Sequence, residues 1–129
     1  MDIIITNNSD KPIYDQIKEQ IKGLILSGEL KEGDALPSMR LLAKELRISI
    51  ITTKRAYEEL EREGYIESYT GKGSFVKGIN QDVARENVLC EIEELFDAAV
   101  NKAKLARVPY EELEKRLKLL YEESESKNE

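Results

Sequence analysis

The chain has 129 residues, 40% of them hydrophobic and 36% charged, with a net charge of −6. That is enough for one ordinary domain, or a small domain with an appendage, and the charge content points to a soluble, helix-rich protein. The absence of histidine and the single Cys90 exclude a His/Cys zinc site, an intrachain disulfide and histidine-based acid–base catalysis. No apolar run approaches the length of a membrane span, and Met1 is not followed by a basic and then apolar leader, so a cytoplasmic protein is expected.

Residues 2–6, DIIIT, form a β-branched run suited to an edge strand beside a later hairpin. A turn follows, and Ser9 or Asp10 is placed to cap a helix carrying Pro12 in its first turn. Ile13, Ile17, Ile21, Leu24 and Ile25 give that helix an apolar stripe, which Gly28 ends. A loop over 28–37 then delivers the chain to PSMRLLAKELRISIITTKRAYEELEREG, residues 37–64, around which the rest is organised.

In that stretch Ser38 is a good N-cap, and Met39, Leu42, Ala43 and Leu46 recur at helical spacing. The pattern breaks at Arg47-Ile48, and Ser49 offers a second N-cap. Thr53, Ala56, Tyr57 and Leu60 then fall at i, i+3, i+4 and i+7, one inward stripe of a second helix. The same spacing turns Ile50, Ile51, Lys54, Arg55 and Glu58 outward. A short helix, a tight turn and a second helix with basic residues near its start make a helix-turn-helix pattern, whose second helix can enter a major groove.

Two short strands, 65–68 and 74–77, flank a Gly-x-Gly turn and predict a hairpin, with Ile66, Phe75 and Val76 as candidates for packing on the helices. Three helices followed by a hairpin is a winged helix. Its tip carries Lys72 between Gly71 and Gly73, where backbone N–H groups can approach a phosphate.

Residues 78–82 read as a hinge. A long helix follows with Val88, Ile92, Leu95, Phe96, Ala99, Val100 and Ala103 on one face, until Arg107-Val108-Pro109 breaks it. Tyr110, Leu113, Leu117, Leu120 and Tyr121 mark a last amphipathic helix, with a tail from Glu122 expected to fray. Two antiparallel helices of this size do not close a core alone. The economical partner is the same segment of a second copy, with an interface through Val88, Ile92, Leu95, Phe96, Ala99, Leu113, Leu117 and Leu120. Cys90 is expected as a small packing residue.

Charge is unevenly spread. Residues 37–57 carry +4 and residues 68–78 carry +2, whereas the chain after residue 78 carries −5. A basic face on an acidic molecule is compatible with DNA, and the acidic bulk limits non-specific association.

The segments PIYDQIKEQIKGLILSGELKEGDALPS, LAKELRIS, AYEELEREGYIES and GKGSFV together resemble the N-terminal winged-helix domain of the GntR family of bacterial transcription regulators, over roughly residues 11–77. The remainder is too short for the large effector-binding domains of most subgroups. A two-helix C-terminal segment is instead similar to the small YtrA-type subgroup, often linked with control of transporter genes. The resemblance implies a homodimeric regulator, usually a repressor, on a pseudo-palindromic operator. Arg40 matches the family's DNA-contacting arginine in the first helix of the motif. Thr52 matches a contact threonine of the recognition helix, Lys54 sits where arginine is common, and Gly71 with its neighbours matches the wing that reaches the minor groove. Ile50 and Ile51 depart from the Arg-Thr of many members, so no operator consensus carries over.

The expected fold is therefore mainly α with a small β-wing: a winged helix-turn-helix domain over 1–78 and an antiparallel two-helix dimerisation segment over 79–129. The candidate DNA contacts are Ser38, Arg40, Lys44, Ser49, Ile50, Ile51, Thr52, Lys54, Arg55, Gly71, Lys72 and Gly73. Within that set, Lys44 and Arg55 either meet DNA or pair with Glu45 and Glu58, and of Ile50 and Ile51 either one packs inward against the first helix of the motif or at least one is exposed and touches thymine methyl groups. A sequence-specific regulator is the leading function, a winged-helix protein-interaction module the alternative, and an enzyme the least supported. Duplex DNA and a second copy are the expected partners, with no cofactor and no metal. Tyr69, Tyr110 and Tyr121 leave room for a small-molecule effector without identifying one.

Overall fold

The computed structural model describes residues 1–127, which form α1 (Ile13–Ser27), α2 (Met39–Leu46), α3 (Ile50–Arg62), β1 (Ile66–Tyr69), β2 (Gly73–Val76), α4 (Gln81–Leu105) and α5 (Tyr110–Lys127). The chain divides within α4 into a compact unit of Met1–Arg85 and a second unit from Glu86 onward. This division falls seven residues beyond the hinge boundary read from the sequence. Ile79 packs on the core of the first unit, Asn80 Oδ1 caps α4 by accepting from Asp82 and Val83 N–H, and Ala84 is buried.

In the first unit α3 packs on α1, α2 and β1. The expected stripes meet there: Ile17, Ile21, Leu42, Tyr57, Leu60 and Ile66 are all at 1% exposure or less. Each aliphatic side chain so buried stabilises the unit by roughly 1.5–3 kcal/mol relative to exposure. Lys22 is buried among them, its Nζ 5.3 Å from the centre of the Tyr65 ring and 3.8 Å from a Glu63 carboxylate oxygen. Lys18 reaches the same carboxylate at 3.3 Å, so two lysines of α1 hold the end of α3. The start of α1 differs from expectation. Pro12 itself is the N-cap and neither Ser9 nor Asp10 caps the helix; Ser9 Oγ accepts from Lys11 N–H instead.

Residues 2–6 alternate as a strand would, with Ile3 buried and Ile5 packed on the core, but they join no sheet. Two glutamines of α1 take the place of a neighbouring strand. Gln20 accepts from Ile4 N–H at 2.9 Å and donates to Ile4 C=O at 2.6 Å. Gln16 does the same for Thr6 at 2.9 and 3.0 Å. The edge beside β2 is filled by residues 33–36, through Gly33 N–H to Val76 O, Val76 N–H to Asp34 O and Leu36 N–H to Ser74 O, each 2.9 Å.

The hairpin pairs Ile66 with Val76, Ser68 with Ser74 and Tyr69 with Gly73, which leaves a three-residue turn of Thr70, Gly71 and Lys72. With a side-chain period of two, Ile66, Val76 and Ser74 face inward, and Phe75 falls on the other face against Tyr69, ring centres 6.3 Å apart. Phe75 was expected to pack inward. Ser74 holds that side through a 2.7 Å hydroxyl pair with Ser68.

In the second unit α4 and α5 are joined at residues 106–109. Arg107 adopts a left-handed conformation (φ 58°), and Val108 N–H closes back on Ala103 O at 2.8 Å. Among the described residues of this unit only Ala103 is buried. The apolar positions expected at an interface lie open: Val88 and Leu113 are half-buried, whereas Leu95 (71%), Leu120 (64%), Ile92, Phe96, Ala99 and Leu117 are exposed. Cys90 is exposed rather than packed. α5 stays helical through Lys127, so the tail from Glu122 does not fray there, and residues 128–129 lie outside the described residues. No helix of the described residues is long and apolar enough to cross a membrane.

Candidate nucleic-acid interface

The helix-turn-helix forms where the sequence places it, and each helix start is capped as its serine allows. Ser38 Oγ accepts from Leu41 N–H at 3.0 Å, and Ser49 Oγ from Thr52 N–H at 3.1 Å. Between them the chain turns through Arg47 at φ 58°, with Ile48 N–H bonded to Ala43 O at 3.0 Å. Capping satisfies one N–H at each helix start and leaves others directed outward, so both termini offer partial positive charge to an anion.

The side chains around these termini are cationic. Arg40, Lys44, Arg47, Lys54 and Arg55 are all exposed, against Glu45 alone within residues 37–57. Lys44 forms none of the ion pairs found among the described residues, and Lys54 makes a loose pair with Glu58 at 3.9 Å, both side chains open to solvent. Such a pair contributes little and yields readily to a phosphate. Arg55 does not pair with Glu58. Its guanidinium carbon lies 3.8 Å from the centre of the Tyr14 ring, a cation–π contact between α3 and α1. Tyr14 falls in register with Ile17 and Ile21 on α1, a signal the sequence carries; the partner on α3 it does not.

Thr52 and Ser49 form a hydroxyl pair at 2.8 Å. One hydroxyl donates to the other, so one O–H remains free whichever way the pair is oriented. It sits at the start of α3, where an acceptor oxygen would complete it. Ile50 and Ile51 begin the helix, 45% and 79% exposed, so the reading in which one of them packs inward against α2 does not hold.

At the hairpin tip Gly71 (φ 77°) and Gly73 (φ 105°) adopt backbone conformations that side chains disfavour, and Lys72 N–H closes the turn on Tyr69 O at 3.0 Å. Lys72 is exposed between them. Tyr69, at the base of the tip, donates to Glu67 Oε2 at 2.8 Å, which raises the phenol above its ordinary value. Among the described residues no group of His, Cys, Asp or Glu could hold a metal ion.

Comparison with known proteins agrees with this geometry. The family model for bacterial regulatory proteins of the gntR family matches residues 13–76, from the start of α1 to the end of the hairpin. The chain is 38% identical to the HTH-type transcriptional repressor YtrA of Bacillus subtilis (strain 168) over 116 residues, 90% of this chain and 89% of that protein. It is similar in structure to a transcriptional antiterminator from Listeria monocytogenes EGD-e, with a TM-score of 0.73 and 28% identity, covering 94% of this chain and 90% of that one. It is also similar to the AraR DNA-binding domain in complex with operator ORX1, with a TM-score of 0.53 and 25% identity over 59% of this chain and 95% of that one. The chain therefore belongs to the GntR family of bacterial regulatory proteins, in the YtrA type, and is a DNA-binding transcription regulator and not an enzyme.

Proposed function

We propose that the protein is a cytoplasmic repressor that binds a pseudo-palindromic operator as a homodimer. The N-terminal half of α3 lies in the major groove, with Lys54 and Arg55 toward DNA. Arg40, Lys44 and the capped helix starts at Ser38 and Ser49 hold phosphates, with the free hydroxyl of the Ser49–Thr52 pair as a further donor. The wing of Gly71, Lys72 and Gly73 adds a neighbouring contact. Repression follows from occupying a promoter.

The observation that carries the dimer is the second unit, in which Ala103 alone of the described residues is buried. A segment with so little core lacks the apolar burial that offsets the entropy of ordering it, and open leucine and phenylalanine side chains at helical spacing call for a matching surface. A second copy supplies one by symmetry, through Val88, Ile92, Leu95, Phe96, Ala99, Leu113, Leu117 and Leu120. The operator-bound AraR domain and the repressor YtrA support the DNA side of the reading. A small molecule that changes the dimer would shift DNA affinity, because both half-sites must be met together.

The test is a salt series of binding to DNA from the region upstream of the protein's own gene, against a scrambled duplex. Specific binding is expected to be roughly 10³-fold tighter or more. Log K should fall with log salt by about 0.9 for each phosphate neutralised. Binding indifferent to sequence and only weakly salt-dependent would favour a protein-interaction module.

A further inference from the structure

The helix that reads bases opens on two residues that cannot hydrogen-bond to them. Ile50 and Ile51 are the first two residues of α3, and Ile51 is 79% exposed, while Ile17, Ile21 and Ile66 are at 1% or less. The polar side chains of the first turn and a half have contacts of their own, which leave a hydroxyl and an ammonium available to phosphate oxygens. The Thr52 hydroxyl is shared with Ser49, the Arg55 guanidinium is stacked on Tyr14, and Lys54 leans toward Glu58. Beside those polar groups, the first two side chains of the helix present carbon to solvent.

What surrounds that carbon identifies its partner. Arg40, Lys44, Arg47, Lys54 and Arg55, all exposed, flank Ile50 and Ile51 along the two helices of the motif, a setting complementary to phosphates. In the major groove the thymine 5-methyl is the apolar group on a base edge, while the other edges offer donors and acceptors that an isoleucine would leave unsatisfied. We infer that Ile51, with Ile50 beside it, is a specificity determinant that selects A·T pairs by packing on thymine methyl groups. This rests on the reading of α3 as the major-groove helix.

The test uses the full chain and a duplex selected with it from a randomised pool. Each thymine is replaced in turn by deoxyuridine, which keeps the pairing edge and removes the methyl. Wild type should lose about fourfold in affinity at one or two positions of each half-site, the worth of one buried methyl. Ile51→Ala should bind the thymine duplex more weakly by a similar factor, stop distinguishing thymine from deoxyuridine there, and keep the wild-type salt slope, since an apolar contact releases no counterions. Because Ile51 is exposed, this variant should melt as wild type does. A wild type that prefers the selected duplex but ignores every methyl, or an Ile51→Ala that still discriminates, overturns the inference while leaving the DNA-binding reading intact. If no selected duplex outcompetes a scrambled one, both fall together.

Discussion

The Tyr57 hydroxyl donates a 2.8 Å hydrogen bond to the backbone carbonyl of Pro37, tying the middle of α3 to the residue just before the Ser38 cap of α2. The bond holds the body of α3 against the start of α2, with Tyr57 1% exposed. Replacing Tyr57 by Phe keeps the ring and leaves the Pro37 carbonyl without its partner. The expected loss is about 1 kcal/mol. For a unit of this size that lowers Tm by roughly 4–8 °C, read by thermal melting.

Burial also pushes the Tyr57 phenol well above its ordinary value of 10.0. For Lys18, burial acts downward, but the neighbouring carboxylates of Glu63, Asp15 and Glu19 outweigh it and hold the ammonium above 10.5. In both cases the folded chain keeps its proton more tightly than the unfolded one. The stability from these groups is therefore fully present below the ordinary values and is lost as pH climbs through and beyond them. Urea titrations from pH 8 to about 11.5 should show falling stability above about pH 10. Tyr57→Phe should show a shallower fall, and an unchanged slope in that variant would remove Tyr57 from the explanation.

The N-terminal strap depends on Gln20, whose amide both accepts from and donates to the backbone of Ile4. Alanine at this position removes both bonds. The Ile4 amide should then exchange with solvent about fivefold faster, matching a cost of about 1 kcal/mol. Glutamate keeps the acceptor for Ile4 N–H and has no donor for Ile4 C=O, so it should fall between alanine and wild type in hydrogen exchange.

At the wing, Lys72→Ala removes a charge held at an exposed tip and touches no core residue. Binding should weaken by a similar factor on selected and scrambled duplexes, and the salt slope should fall by about one for each wing that meets a phosphate. A loss confined to one duplex sequence would mean that Lys72 reads bases instead.

Most of the helical architecture was legible because periodicity encodes it: the stripe Thr53, Ala56, Tyr57 and Leu60 is buried as its spacing requires. The N-terminal run was legible in its alternation and not in its partner. Whether the backbone of residues 2–6 bonds to a strand or to glutamine side chains depends on which element lies beside it. Phe75 and Val76 are neighbours on one strand, so only one of them can face the helices, and the pairing of Ile66 with Val76 decides which. The two helical corners share a sequence signal. AKELRIS at residues 43–49 and AKLARVP at residues 103–109 both turn on a left-handed arginine at φ 58°, with the following N–H bonded to the alanine carbonyl. Of the candidate site, the charges and the outward position of Ile51 could be read from spacing, whereas the stacking of Arg55 on Tyr14 depends on how α1 and α3 meet.

If two copies of the chain act together on one duplex, the mass of the complex in analytical ultracentrifugation shows it. The duplex selected from a randomised pool would be compared with one cut to a single half-site. Two chains on the selected duplex are expected, with binding to the half-site weaker by a factor on the order of 10² or more. A single chain per duplex, bound equally well to the half-site, would contradict it.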